Sequence, residues 1–99
     1  MSREIQNHQN ALYIQAAESY SLLKLTDGKT LVKTRPMKFF MNILESNGWC
    51  QIHKSYMVNP QFVECITQDH NGICLQNGQV LPISRRNIKK VVKWRNLNI

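Results

Sequence analysis

Apolar and polar residues alternate with a period of two over much of this 99-residue chain, the pattern of strands covered on one face. Leu12, Ile14 and Ala16 alternate with Tyr13 and Gln15 and predict a half-buried strand beginning at Ala11. Residues 1–10 are polar and predict a frayed end or a weak earlier strand. Glu18-Ser19 reads as a turn, Tyr20–Leu25 as a second strand and Thr30–Thr34 as a third. Between the last two lies Asp27-Gly28, a pair that favours a tight hairpin because glycine accepts positive φ without steric cost. The period then changes. Met37, Phe40, Met41 and Leu44 fall at i, i+3, i+4 and i+7, one face of a short amphipathic helix. Pro36 suits its first turn, and Gly48 suits a left-handed cap at its end.

Trp49–His53 reads as another strand, and Tyr56-Met57-Val58 carries the chain on to the turn residues Asn59-Pro60. Phe62–Thr67, Ile73–Leu75 and Val80–Ile83 predict three more strands, separated by turns at His70-Asn71-Gly72 and Asn77-Gly78. Ser84 is placed to cap a final helix, with Ile88, Val91 and Val92 facing inward and Lys89, Lys90 and Lys93 facing out. The elements sum to one mainly antiparallel β domain over residues 1–99 with one or two short helices.

Charge changes this picture. Thirteen Lys and Arg stand against six Asp and Glu, a net charge of +7, and no acid follows Asp69. A balance of that kind suits a polyanion, although a basic surface without function produces the same count. The three cysteines include no C-x-x-C pair, and their odd number leaves at least one thiol unpaired. They read as reduced and mostly buried. No secretory signal opens the chain and no segment approaches the roughly 18 apolar residues of a membrane span, so the expectation is a soluble, cytoplasmic protein.

Enzyme chemistry finds little support. Glu4, Glu18, Asp27, Glu45, Glu64 and Asp69 are scattered, and no two have the spacing of a general acid and base. Cys50 and His53 could be offered as a nucleophile and its base, against the plainer reading of a buried thiol and a contact histidine. The cysteines and histidines do not show zinc-motif spacing, and no glycine-rich phosphate loop is present. The expectation is no catalytic residue, no metal and no cofactor.

Binding residues are easier to find. Arg85 and Arg86 fall in the expected first turn of the last helix, where the helix dipole disfavours cations by about 0.3–1 kcal/mol each. Phosphates or guanine edges would offset that cost. The alternative is an ion pair of one arginine with Glu64 or Asp69. His53, Lys54 and Ser55 stand together between two apolar segments, and a chain reversal at Lys54 would bring all three to one rim. Lys54 is then a candidate for phosphate or base contact, or else a solvated lysine. Asn59 reads as a turn-closing residue.

His53-Lys54-Ser55-Tyr56-Met57-Val58-Asn59 resembles the central motif of the LytTR DNA-binding domain, a module of bacterial response regulators in two-component systems and of related transcription factors. Tyr13-Ile14-Gln15-Ala16 resembles its opening strand, Ser19-Tyr20 and Leu25-Thr26-Asp27-Gly28-Lys29 its first hairpin, and Leu81-Pro82-Ile83-Ser84-Arg85-Arg86 its closing motif. The resemblance covers about residues 11–93, with Gln51 standing where the family usually has Arg and no receiver domain present. It implies an elongated, antiparallel β fold whose loops enter successive major grooves, often of direct repeats bound by two copies. Its implied DNA contacts are Ser19 and Tyr20, Lys54 with His53, and Arg86 with Arg85.

The first functional reading is therefore sequence-specific duplex binding for transcriptional regulation. Phosphate contacts would come from Lys29, Lys33, Lys54, Lys89 and Lys90, and base readout from Lys54 and Arg86, with Ser55 beside them. Two alternatives remain: a single-stranded RNA binder stacking bases on Tyr13, Tyr20, Trp49, Tyr56 or Trp94, and a module for an acidic protein partner.

Overall fold

The computed structural model describes residues 8–97. The expectation for residues 1–7 lies outside the described residues; residues 8–10 form a 3-10 turn rather than a strand. Eight strands follow: β1 (Ala11–Ala17), β2 (Tyr20–Leu25), β3 (Thr30–Lys33), β4 (Cys50–His53), β5 (Tyr56–Val58), β6 (Val63–Ile66), β7 (Gly72–Leu75) and β8 (Val80–Pro82). Two α-helices, α1 (Met37–Ser46) and α2 (Ile88–Leu97), accompany them among the described residues, with short 3-10 turns at Pro60–Phe62 and Arg85–Asn87. The strands form an antiparallel five-stranded sheet in the order β3-β2-β1-β5-β4 and a three-stranded sheet in the order β6-β7-β8.

The five-stranded sheet is covered on both faces. Helix α1 lays Met37, Phe40 and Leu44 against Ala11, Ile14, Leu23 and Met57. On the other face Leu12, Tyr13, Ile52 and Val58 meet Ile73, Leu75 and Leu81 of the second sheet and Val91 of α2. This double cover corrects the half-buried reading of β1: Ala11, Leu12, Tyr13 and Ile14 are all buried. A bulge between Ala11 and Tyr13 explains why neighbouring Leu12 and Tyr13 face the same core, because the extra residue breaks the strict alternation of the pleat.

Strand β5 is the largest departure from the pattern. Its three residues read in sequence as mere continuation, yet it is an interior strand, pairing with β1 through Tyr13–Val58, Ile14–Met57 and Gln15–Tyr56 and with β4 on its other edge. Helix α1 ends as its residues demand. Gly48 has φ +89°, its N–H bonds to the Glu45 carbonyl at 3.0 Å, and the Trp49 N–H bonds to the Leu44 carbonyl at 3.0 Å. These paired bonds satisfy carbonyls that the helix end would otherwise orphan. Pro36 sits one position earlier than expected, at the N-cap.

The cysteines depart from expectation too. Cys50 is buried, but Cys74 is half-buried and Cys65 exposed. The body measures 35 × 26 × 22 Å.

Candidate nucleic-acid interface

Three separated segments meet at one end of the five-stranded sheet. The first is the β1–β2 turn, in which Glu18 takes φ +57° and delivers exposed Ser19 and Tyr20. The second is the two-residue turn Lys54-Ser55, which closes β4 onto β5 between His53 and Tyr56. The third is the 3-10 turn Arg85–Asn87 that leads into α2. Backbone bonds lace them together. The Ala16 N–H donates to the Ser55 carbonyl at 2.9 Å, and the Ser84 N–H donates to the Ile52 carbonyl at 2.9 Å.

The second and third segments enclose a hollow of about 580 Å³ lined by Gln51, His53, Lys54, Ser84, Arg86 and Asn87. Lys54 and Gln51 also line a neighbouring hollow of about 460 Å³, together with Glu18 and with Lys38 of α1. Lys54 therefore stands on the ridge between the two, beside Arg86 on one side and the β1–β2 turn on the other. The chain does reverse at Lys54-Ser55, so His53, Lys54 and Ser55 share a rim. His53 Nδ1 accepts the Ser55 N–H at 3.1 Å, which leaves Nε2–H of the neutral ring as the free donor. Its ring lies 5.6 Å from that of Tyr56, which in turn meets Tyr13 edge-on at 5.8 Å.

The arginine turn differs in detail from expectation. Arg85 and Arg86 precede α2 in a 3-10 turn, and the Ser84 side chain caps no backbone N–H. Its hydroxyl instead accepts from the Asn87 side-chain amide at 2.7 Å, while the Asn87 N–H bonds to the Ser84 carbonyl at 2.9 Å. Turn and helix still form one helical run with no acid in its opening turns, so the unfavourable placement of two cations persists. The acids considered as partners are engaged elsewhere or lie free of these arginines. Asp69 accepts from the Thr67 hydroxyl at 2.6 Å and the Asn71 N–H at 3.0 Å, and these bonds, the hydroxyl foremost, hold its carboxyl below the usual range. Among the described residues, the side chains of Lys54, Arg85 and Arg86 make no hydrogen bond or ion pair.

The remaining candidates spread outward. Lys33 pairs across the strands with Ser21, at the same end as Tyr20. Lys90 lines a side hollow with Gln51, Cys50 and Trp94, adjoining the central one. Lys89 faces the other flank of α2, with His70 and Lys93. Lys29 lies at the far end of the β2–β3 hairpin, beside Tyr13, Asn77 and Gln79. The sequence reading missed Arg35, whose guanidinium stacks 4.5 Å over the Phe39 ring, and Lys38. Their signal was Lys33-Thr34-Arg35-Pro36-Met37-Lys38, three cations packed around a strand-to-helix junction. Asn59 closes its turn as expected: its side chain accepts from Gln61 N–H at 3.1 Å and donates to the Ala11 carbonyl at 2.9 Å.

Cys50 is unsuited to nucleophilic work. Burial pushes its thiol up to about 11, with Lys90 opposing and Glu45 adding to the rise, and only the thiolate is a good nucleophile. No helix among the described residues is long and apolar enough to cross a membrane.

The family model described as "LytTr DNA-binding domain" matches residues 4–96. Among solved structures, the chain is similar to the "LytTr DNA-binding domain of putative methyl-accepting/DNA response regulator from Bacillus cereus", with a TM-score of 0.76 and 19% identity over 87% of this chain and 81% of that one. No curated protein matches the chain.

Proposed function

Since the chain belongs to the LytTr DNA-binding domain family, we propose that it binds duplex DNA sequence-specifically in bacterial transcriptional regulation, reading bases with Lys54 and Arg86. The observation that carries this reading is the shared hollow: two cations thirty-two positions apart in sequence line one depression and neither is neutralised among the described residues. Arg presents a planar fork to the O6/N7 edge of guanine, and Lys a mobile point charge to base or phosphate. His53 Nε2, Ser55, Asn87 and Arg85 surround them. Ser19, Tyr20, Lys33 and Lys38 extend the rim toward α1, and Lys90 extends it along α2. These neighbours hold register through phosphates, while Lys29 and Lys89 contribute from outlying positions.

The turns that carry the rim, Ser19-Tyr20, Lys54-Ser55 and Arg85–Asn87, hang from different elements, and contact with successive major grooves is part of the same proposal. We propose two copies on direct repeats as the bound form.

Single-stranded RNA binding has less support. Tyr13 and Trp49 are buried, Trp94 is half-buried with its indole N–H on the Gly48 carbonyl at 2.8 Å, and Tyr56 packs between Tyr13 and His53. Among the aromatics first considered, Tyr20 alone is exposed, at 41%, which is too little for a stacking platform.

The test begins with selection of bound sites from a random duplex library. Anisotropy titrations on a selected site should then show Lys54→Ala and Arg86→Ala each losing about 1–3 kcal/mol, with the Arg86 loss confined to one base pair of the site. If about five phosphates are neutralised, log K should fall against log salt with a slope near −4 to −5. Equal losses on random duplex would leave charge without readout, and preference for single-stranded RNA or for an acidic protein in competition would overturn the reading.

A further inference from the structure

We propose that Cys65 and Cys74 form a reversible thiol–disulfide site on the outer face of the three-stranded sheet, oxidised by a small disulfide such as oxidised glutathione. The two residues are direct partners across the antiparallel β6–β7 ladder, and both are free thiols. Their neighbours Val63, Ile73 and Leu75 are buried in the core, whereas Cys65 is exposed and Cys74 half-buried. Both side chains thus stand on the solvent side of the same sheet.

The spacing suits a covalent link. Partner Cα atoms in antiparallel ladders are about 4.5–5.5 Å apart, inside the roughly 4.4–6.8 Å that disulfides span. The fit is imperfect at the next atom. Cross-strand Cβ atoms stand about 4.5–5.5 Å apart, against a mean of about 3.8 Å in disulfides. The bulge between Val63 and Cys65 supplies some of the slack needed to close that gap. The rest remains as strain, which makes the bond easily reduced. Hence the site is reversible rather than a permanent staple.

The chemistry balances as two thiol–disulfide exchanges. The accessible Cys65 thiol, as thiolate, attacks one sulfur of oxidised glutathione; the glutathione S–S bond breaks, a mixed disulfide forms and one glutathione thiolate leaves with the proton that Cys65 gave up. The Cys74 sulfur then attacks the Cys65 side of the mixed disulfide, expelling the second glutathione thiolate, which takes the Cys74 proton. Two protein thiols have been oxidised and one glutathione disulfide reduced to two thiols. The neighbouring Cys65 thiol, and then desolvation, hold the Cys74 thiol above its ordinary range, in keeping with Cys65 opening the exchange. Cys50 takes no part, since it lies buried in the core beneath the other sheet.

The folded chain is incubated with oxidised glutathione, quenched in acid, alkylated without reduction and mapped by mass spectrometry. The expected result is a monomer two hydrogens lighter that has lost two of its three thiols, with Cys65 and Cys74 in one linked peptide pair and Cys50 still free. Reduced glutathione should restore all three thiols. Cys65→Ser, a change at an exposed position, should abolish the linked pair. A stable glutathione adduct on Cys65, a disulfide-linked dimer, three thiols left intact, or a bond that reduced glutathione does not open would each overturn the proposal. None of these readouts depends on DNA binding.

Discussion

On one face of the five-stranded sheet, α1 presses Met37, Phe40 and Leu44 onto Ala11, Ile14, Leu23 and Met57. On the other, a second sheet and α2 press Ile73, Leu75, Leu81 and Val91 onto Leu12, Ile52 and Val58. The α1 face is one helix on one sheet, and the helix side of it is a single local stripe. The opposite face joins segments from both ends of the chain and is pinned by polar links, among them Tyr13 Oη accepting from the Gln79 amide at 2.9 Å and the Asn59 amide on the Ala11 carbonyl at 2.9 Å. Only the second kind of core can bring Lys54 and Arg86 to one hollow, because its strands and helix are the elements from which the two turns hang. One face supplies stability and the other converts stability into placement.

The strongest way to break this contrast is in the α1 core. Phe40 is 1% exposed, and Phe40→Ala should cost about 3–5 kcal/mol by lost burial and the cavity left behind. Denaturant unfolding measures it. The fraction that stays folded should bind duplex with the affinity of the parent chain. A cost below about 1 kcal/mol, or an affinity loss beyond the unfolded fraction, would mean that the two faces are not separable in this way.

A second measurement probes the other core through pH. The Cys50 thiol is pushed up to about 11 from an ordinary 9.0, burial being the main cause. The folded state therefore favours the protonated thiol. That contribution is complete below pH 9 and is lost as pH rises through 11, because the unfolded chain releases the proton first. Unfolding curves for the parent and Cys50→Ala should converge across this window. Parallel curves would show that Cys50 is not desolvated as its position indicates.

How much of this was legible beforehand follows the same division. The α1 stripe, Asp27-Gly28, Asn77-Gly78 and the Gly48 cap are local signals, and residues within one turn or one hairpin suffice to read them. Strand β5 was not legible as an interior strand. Three residues carry no periodicity, and its place between β1 and β4 is set by contacts distant in sequence. The bulge that turns Leu12 and Tyr13 to one side is likewise a product of pairing. Exposure of Cys65 was missed because cysteine is usually buried, whereas β6 has Glu64, in its bulge, and Cys65, just after it, both exposed. The candidate rim was half legible. Lys54, Arg85 and Arg86 announced themselves by their neighbours, but Lys38 joins Lys54 only because α1 begins beside the β1–β2 turn.

A smaller effect sharpens the contrast at the arginine turn. Arg86 opens a helical run with no acid in its first turns, where a cation is unfavourable. Arg86→Gln should raise stability by about 0.3–1 kcal/mol while weakening duplex binding. Gain in one quantity with loss in the other identifies a residue placed for a ligand rather than for the fold. A loss of stability would assign Arg86 a structural role instead.

The smallest expected effect compares two lysines of equal charge. Lys29 and Lys54 both sit in turns, but the Lys29 turn is locally closed, with Asp27 accepting the Lys29 N–H at 2.9 Å. It is separated from the Tyr20 end by the length of β2, which at about 3.3 Å per residue is roughly 15–20 Å. The Debye length at about 0.1 M salt is only about 10 Å. Lys29→Ala should therefore change duplex affinity by less than about 0.5 kcal/mol at that salt and leave the salt slope nearly unchanged, whereas Lys54→Ala lowers both. Equal losses from the two substitutions would place the duplex along the hairpin as well as across the rim, and the footprint would then be drawn by charge over the whole basic surface rather than by the convergence of turns.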